Sequence, residues 1–369
     1  IYKLNTNVVP SISVPEIFQA KGKSWINFGS NNTYPQLITE LYNKSSINRT
    51  CINAKATAIF GNGLKTDAEK DLYILNRIND FESWNDVFEK AILDYTIYGG
   101  FALNIIWTRD GTKIHSIKHI PFGDVRSGEF EGNKVKKYYY SSNWNNFKKH
   151  KPIEYNTFDK TLANQFPSQI FYYYDYNPGS RYYPLPEYSG SLSDIHIDIE
   201  TSTLHLANLQ NGLVPSMVIN FHEGVPTPEA QREIYANITN EFAGVDKTGK
   251  FLMTFSSSKE SAPEILPLEA ANDDFYLNLD ARTKASILSG HRITSPLLLG
   301  IYAGGNGFSS NSDEIINAWG VFKATVINPT TRMLLKPMNM LMRNYGYEIE
   351  LSVDPLNILE VAETQEAIN

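Results

Sequence analysis

The sequence predicts an α+β fold, on three observations. Residues 34–191 read as a mixed body of helices and strands, and two long helix-like segments, 192–213 and 271–291, leave it and return around a small β-α-β pattern at 214–270. A glycine-rich loop then precedes a last helix-like segment with two internal prolines. At 369 residues the chain can bury a sizeable core and suggests two or three structural units.

In chain order, residues 1–33 are polar, carry Pro10, Pro15 and the turn cluster SNNTYP, and read as an extended arm. From Tyr34 to Ile59 the apolar residues Leu37, Ile38, Leu41, Ile47, Cys51, Ile52 and Ile59 follow helical spacing, with a break near Asn43 to Ser46 and a stop at Gly61-Asn62-Gly63. Ser83 is a good N-cap for a helix ending at Gly99-Gly100. Phe101–Trp107 alternates, turns at Arg109-Asp110-Gly111 and returns as Lys113–Ile120, which opens a sheet-rich region reaching to about residue 187. The tyrosine runs 138–140 and 172–174 suit strands of a half-exposed sheet, or an interface wet on one side. Lys134, Lys136, Lys137, Lys148, Lys149 and Lys151 form a basic patch, which by itself reads as a solvated face.

Ser193 is placed to cap a helix to Asn211, which at that length spans about 30 Å. Its apolar positions Ile195, Ile199, Leu206 and Leu209 leave most of the surface polar, as expected of a helix whose neighbours come from other copies. Strands at Ser216–Phe221 and Lys250–Phe255, a helix from Thr227-Pro228-Glu229 to about Phe242, and a strand-like piece at 264–270 make the small lobe. The second long helix stops at Gly290, before His291-Arg292. The last, Asp313 to Tyr345, is expected to be interrupted at Asn328-Pro329 and Lys336-Pro337, where proline removes a backbone donor.

Composition and motif logic exclude several chemistries. Cys51 is the only cysteine, so neither an intrachain disulfide nor a CxxC metal site is available, and a reducing compartment is consistent. No run has the length of a membrane helix, and the start lacks a signal pattern. Beginning at Ile1 and stopping on ETQEAIN, the chain reads as trimmed from a longer protein. The glycines at 304, 305 and 307 precede no Lys-Ser or Lys-Thr pair and follow no strand, so they form neither a P-loop nor a dinucleotide fingerprint. His222-Glu223 lacks the second histidine of a zinc protease helix, and no GxSxG elbow occurs. A net charge of −7 argues against a surface that binds nucleic acid over its whole area.

The segments IFGNGL (59–64), YGGFALNIIWTRDGTKI (98–114), HIPFGDVR (119–126), LANLQNGLVPSMVINF (206–221) and GHRITSPLLLGI (290–301), in that order, resemble the portal proteins of tailed bacteriophages. NNTYPQL (31–37) is similar to the crAss-like group. The resemblance spans roughly residues 25–345, and its last two segments are the most specific. It implies a portal fold: an N-terminal arm (1–33), an α/β wing (34–191), a stem of helices 192–213 and 271–291, and a clip (214–270). A tunnel loop and kinked wing helix (292–350) would lead to the start of a crown or C-terminal extension (351–369).

The implied function is a homo-oligomeric ring, typically of twelve, at one capsid vertex of the virion, assembled in the host cytoplasm. It conducts double-stranded DNA and docks the terminase large subunit and then the head-tail adaptor, within a shell of major capsid protein. No catalysis, cofactor, metal or membrane is implied. Gly304, Gly305, Asn306, Gly307 and Phe308 would form the tunnel loop, and Phe221, His222, Glu223, Phe251 and Phe255 would lie at the clip interface. Arg282, Lys284, His291 and Arg292 are candidates to face DNA; the alternative is pairing with acids between neighbouring stem helices. Two other readings stay open: a ring-forming connector without motor docking, and a hydrolase using an acid pair such as Asp273 and Glu314.

Overall fold

The computed structural model describes residues 15–67, 69–211, 215–221, 226–234, 250–255, 273–301 and 312–356. The chain divides into two units, one of Ile1–His196 with Lys284–Asn369 and one of Ile197–Thr283.

In the first unit, strands β1 (Ile17–Gln19) and β2 (Ile26–Phe28) form an antiparallel hairpin. Trp25, Ile26 and Phe28 are buried, so the segment expected to be a polar arm enters the core from residue 25 onward. Helices α1 (Tyr34–Lys44) and α2 (Ser46–Phe60) part at Ser45, inside the predicted break; its N–H closes α1 on Leu41 and its hydroxyl caps α2 through the Asn48 N–H. Cys51 is wholly buried on α2, where burial pushes its thiol up to about 12. After β3 (Leu64–Thr66), helix α3 (Trp84–Tyr98) opens on a reciprocal Ser83–Asp86 capping box and stops at Gly99 in the left-handed region. It packs on β4 (Gly100–Trp107) and β5 (Ile114–Ile120), the predicted hairpin.

There follow β6 (Val125–Ser127), the short antiparallel pair β7 (Phe130–Glu131) and β8 (Lys134–Val135), then β9 (Lys137–Tyr140), β10 (Ile153–Thr157) and β11 (Ser168–Tyr174). The main sheet has the order β5-β4-β11-β10-β9-β6; β10 and β11 run parallel and the other neighbours antiparallel. Both tyrosine runs lie in it, and the Tyr138 and Tyr172 rings stack at 4.8 Å.

Arg126 on β6 is fully buried and, among the described residues, makes no ion pair, though the nearby Asp124 carboxylate favours its charge. Instead its five N–H groups meet oxygens: Nε donates to Asn32 Oδ1 (2.6 Å), Nη1 to the Gly123 and Val125 carbonyls (2.7 and 2.9 Å), and Nη2 to the Asn32 carbonyl and Gln36 Oε1 (2.7 and 3.3 Å). The guanidinium also lies 4.8 Å from the Trp144 ring. Burial draws its pKa down to about 10, so it stays charged at neutral pH. Asn32 accepts this bond from a left-handed conformation, φ 58°, which asparagine tolerates better than most residues.

The second unit holds most of α4 (Leu192–Asn211), strands β12 (Pro215–Phe221) and β13 (Lys250–Phe255), and most of α5 (Asp273–Gly290). The strands pair in parallel with helical residues 228–234 between them, as a β-α-β unit requires. The expected strand at 264–270 lies outside the described residues. Helix α4 begins at Leu192 after a 3-10 turn, Glu187–Ser191, so Ser193 sits in its first turn rather than capping it.

Back in the first unit, α6 (Ser312–Phe322) passes through a π-helical turn, Lys323–Ile327, into α7 (Asn328–Tyr345). The predicted interruption at Asn328-Pro329 takes the form of this π turn, whose wider hydrogen bonding ends just before Asn328 and places Pro329 in the first turn of α7; the one expected at Pro337 is absent, that proline being carried inside the helix. Strand β14 (Leu351–Val353) pairs antiparallel with β3 within the first unit.

Replacing Arg126 by Met strands several buried acceptors, which costs about 3 kcal/mol and lowers Tm by roughly 5–10 °C. Lys, with three donors, is expected to fall between the two; circular-dichroism melts that show no shift for either variant would mean this network adds no net stability.

Candidate functional site: the junction where helix α5 ends

The GHRITSPLLLGI segment, singled out by sequence, converges with α2, the 187–191 turn and the π turn. Gly290 is required by close approach: a Cβ there would stand 2.2 Å from Ser191 Oγ. The same Ser191 hydroxyl donates to the Ser286 carbonyl (3.0 Å), and Ser286 Oγ donates to Asp194 Oδ2 (2.6 Å), which fastens the end of α5 to the start of α4.

His291 follows directly and is buried, with Nε2 2.8 Å from Asn48 Oδ1 of α2 and its ring stacked on Tyr188 at 4.4 Å. The Tyr188 hydroxyl donates to the Ile97 carbonyl, so the stack is held on both sides. Burial lowers the His291 pKa to about 3, helped by the nearby Lys55 charge. This corrects the expectation that His291 faces DNA: its ring is enclosed by its own subunit and stays neutral.

Arg292 adopts a left-handed φ of 57° and is half exposed. It donates to Glu187 Oε1 (3.1 Å) and to the Thr325 carbonyl (2.9 Å) in the π turn. Pro329 has no N–H to offer that carbonyl four residues back, so the guanidinium supplies a donor where the helix lost one. Glu187 is shared, since its other oxygen accepts from Lys55, which is 3% exposed and whose pKa is lowered chiefly by burial. The acid for Arg292 therefore comes from its own chain, not from a neighbouring stem helix. Thr294 Oγ1 donates to the Ala318 carbonyl (2.9 Å), and Ser295 caps the short turn Pro296–Leu299, which closes at Gly300.

An open cavity of about 350 Å³ lies beside this junction, lined among others by Lys55, Tyr95, Asp175, Glu187, Arg292 and Met333. Its charges are mutually compensated, with Tyr95 donating to Asp175 (2.9 Å). Among the described residues no group of His, Cys, Asp and Glu could hold a metal ion, and no helix is long and apolar enough to cross a membrane.

Arg282 and Lys284 are exposed on α5. Phe221 pairs in register with Phe255, and Phe251 with Met217. Gly304, Gly305, Asn306, Gly307, Phe308, His222 and Glu223 lie outside the described residues. Sequence reasoning missed Asn48, Lys55 and Glu187. Lys55 did leave a signal, because it stands four residues after Cys51 and four before Ile59, on the apolar stripe of α2.

No family model and no curated protein matches the chain. Solved structures do match in fold. A chain in the virion of the native gene transfer agent (GTA) particle superposes with a TM-score of 0.59 at 15% identity, over 90% of this chain and 87% of that one. In the neck of the native GTA particle, computed with C12 symmetry, the values are 0.58, 16%, 90% and 88%. In the neck of the empty GTA particle, computed with C6 symmetry, they are 0.59, 16%, 91% and 89%. The α+β architecture is thus one found in phage-like virion and neck particles.

Because His291 is neutral when folded and titrates near 6.5 when unfolded, the unfolded chain gains a proton below that pH that the folded chain does not. Its contribution is complete above pH 6.5 and falls as pH drops toward 3, by about 1.4 kcal/mol per unit. Urea unfolding at pH 7 and pH 5 should therefore destabilise wild type by about 2 kcal/mol more than His291→Gln. Equal pH dependence of the two would contradict a buried neutral ring.

Proposed function

We propose that this chain is a portal subunit, one of twelve copies in a ring at one vertex of a tailed-phage-type capsid. Double-stranded DNA passes through the ring during packaging and again during ejection. The observation that carries the proposal is the likeness in fold, along about nine-tenths of the chain, to a neck chain in a particle computed with C12 symmetry. The paired helices α4 and α5, which bracket a parallel β-α-β unit, support it from the chain itself.

In this reading residues 34–191 are the wing, α4 and α5 the stem, and 214–270 the clip. Phe221, His222, Glu223, Phe251 and Phe255 then lie where the terminase large subunit, and later the head-tail adaptor, docks. Residues 304–308 narrow the channel, and major capsid protein surrounds the ring. Leu204 and Leu206 are exposed on α4 of the isolated chain, as a helix waiting for a neighbouring copy requires.

Translocation favours an acidic subunit, since a channel dense in Lys and Arg would hold DNA through counterion release. Arg282 and Lys284, both exposed on α5, are in this reading the candidates for sparse basic contacts. A ring-forming connector that never meets the motor is the competing reading, and binding of the cognate terminase large subunit to purified rings separates the two.

The purified protein should form rings with a hole wide enough for duplex DNA, visible by negative stain and by native mass spectrometry; monomers alone at every concentration would oppose the proposal. Shortening 303–309 is expected to impair DNA packaging or retention while rings persist. Unchanged packaging would remove the tunnel-loop role.

A further inference from the structure

The lysine-rich patch at 134–151 divides in two in the fold. Lys136 pairs with Glu131 and Lys137 with Glu154, both at 2.7 Å, so two of the three lysines at 134–137 are neutralised. Lys148, Lys149 and Lys151 are exposed on the loop between β9 and β10 and, among the described residues, are in no ion pair.

A second element adds to this half. The turn between β1 and β2 carries Lys21, exposed, and Lys23, whose ammonium lies 4.2 Å from the centre of the Phe147 ring. The two loops are locked together beneath the lysines, with the Trp25 ring 5.2 Å from Trp144 and 5.5 Å from Phe147. The Lys149 and His150 N–H groups both bond the Asn146 carbonyl, which fixes the loop as a turn. Residues 17–28 and 141–152 together contain five lysines and no carboxylate, in a chain whose net charge is −7.

We infer that this two-loop surface, Lys21, Lys23, Lys148, Lys149 and Lys151, is a backbone-phosphate contact for double-stranded DNA, separate from the channel. Three features favour duplex DNA over an acidic protein. The lysines are wet point charges, suited to phosphates in any sequence. The patch has no arginine fork to grip a carboxylate in two places. Its two tryptophans, Trp25 and Trp144, are buried at 9% and 3% exposure, so neither serves as the inserted anchor that a protein interface favours. The identity of the polyanion as DNA rests on the proposed portal role; the surface itself does not, because it is complete in one subunit.

The test measures binding of a fluorescein-labelled 30-base-pair duplex of mixed sequence by anisotropy, from 50 to 200 mM salt, with native mass spectrometry of the same samples. Wild type should bind with a steep salt dependence. Lys148→Gln/Lys149→Gln/Lys151→Gln should lower the log–log slope by about 2–3 and weaken binding at 50 mM salt roughly tenfold or more. Lys136→Gln/Lys137→Gln should leave both unchanged. Lys21→Gln/Lys151→Gln, which takes one lysine from each loop, should lower the slope by about 1–2 and keeps the test available should the triple variant misfold.

An unaltered slope in the lysine variants, no duplex binding by wild type at 50 mM salt, or lysine-dependent binding of polyglutamate instead of DNA would each overturn the inference. Rings without patch binding would sink the inference alone, whereas patch binding by protein that stays monomeric would sink the portal reading alone.

Discussion

The first unit is organised around one buried charge. Arg126 sits where β6, the turn at Gly123 and the start of α1 meet, and its guanidinium keeps its charge because oxygens take all five N–H groups, with the nearby Asp124 carboxylate adding a favourable field. Such an arrangement is unforgiving. A charge of this kind is tolerated in the interior only if every donor is met, so Asn32, Gln36, Gly123 and Val125 are fixed relative to one another to within hydrogen-bond tolerance. The effect spreads outward: Asn32 Oδ1 also accepts from the Phe28 N–H, Gln36 donates back to the Gly123 carbonyl, and Trp144 caps the adjacent Asp124 carbonyl. Hairpin, first helix and sheet edge thereby acquire one geometry.

The junction at the end of α5 solves a different problem with similar means. Two long helices must be anchored where each meets the first unit, and a helix end presents unpaired carbonyls. Ser191 and Ser286 tie the helices side by side, while His291 and Arg292 connect the end of α5 to α2 and to the π turn. The π turn is also where proline removes a donor, and Arg292 restores one from outside the helix. Within the first unit, displacing the end of α5, residues 284–290, from the π turn would have to break the Arg292–Thr325 bond and disturb the Glu187 carboxylate that Lys55 and Arg292 share. Mechanical coupling between these helices therefore runs through a few identifiable bonds.

How much of this was legible in the sequence followed the range of the interactions. The break around Ser45, the cap at Ser83 and the stop at Gly99 were readable because their chemistry closes within four residues. The alternating hairpin at 101–120 and the β-α-β pattern were readable from periodicity and turn residues. Arg126 and Lys55 were not, since Asn32 lies 94 residues from the first and Glu187 lies 132 from the second. Both belong to segments that pattern reading had marked for other reasons: HIPFGDVR and NNTYPQL meet at Arg126, and the α2 stripe holds Lys55. At Pro329 the interruption was readable but its form, a π turn, was not, and Pro337 misled because α7 carries that proline inside it. His291 misled because a histidine beside an arginine looks exposed until the stack with Tyr188 is seen.

Charge placement gives these parts a common logic. The buried cations, Arg126 and Lys55, are satisfied inside the subunit, as are Lys136 and Lys137 of the lysine patch, so none of them contributes free positive charge to a partner. The chain as a whole is acidic, which keeps a long polyanion from adhering everywhere. Against that background five lysines on two locked loops, in no ion pair among the described residues, form a local exception, and the aromatic cluster beneath them keeps that exception rigid. Sparse contacts permit DNA to slide, whereas a fixed cluster holds it, because each neutralised phosphate adds to the salt-dependent affinity. In the proposed portal role, a subunit with both kinds of surface would let one stretch of DNA pass while it retains another.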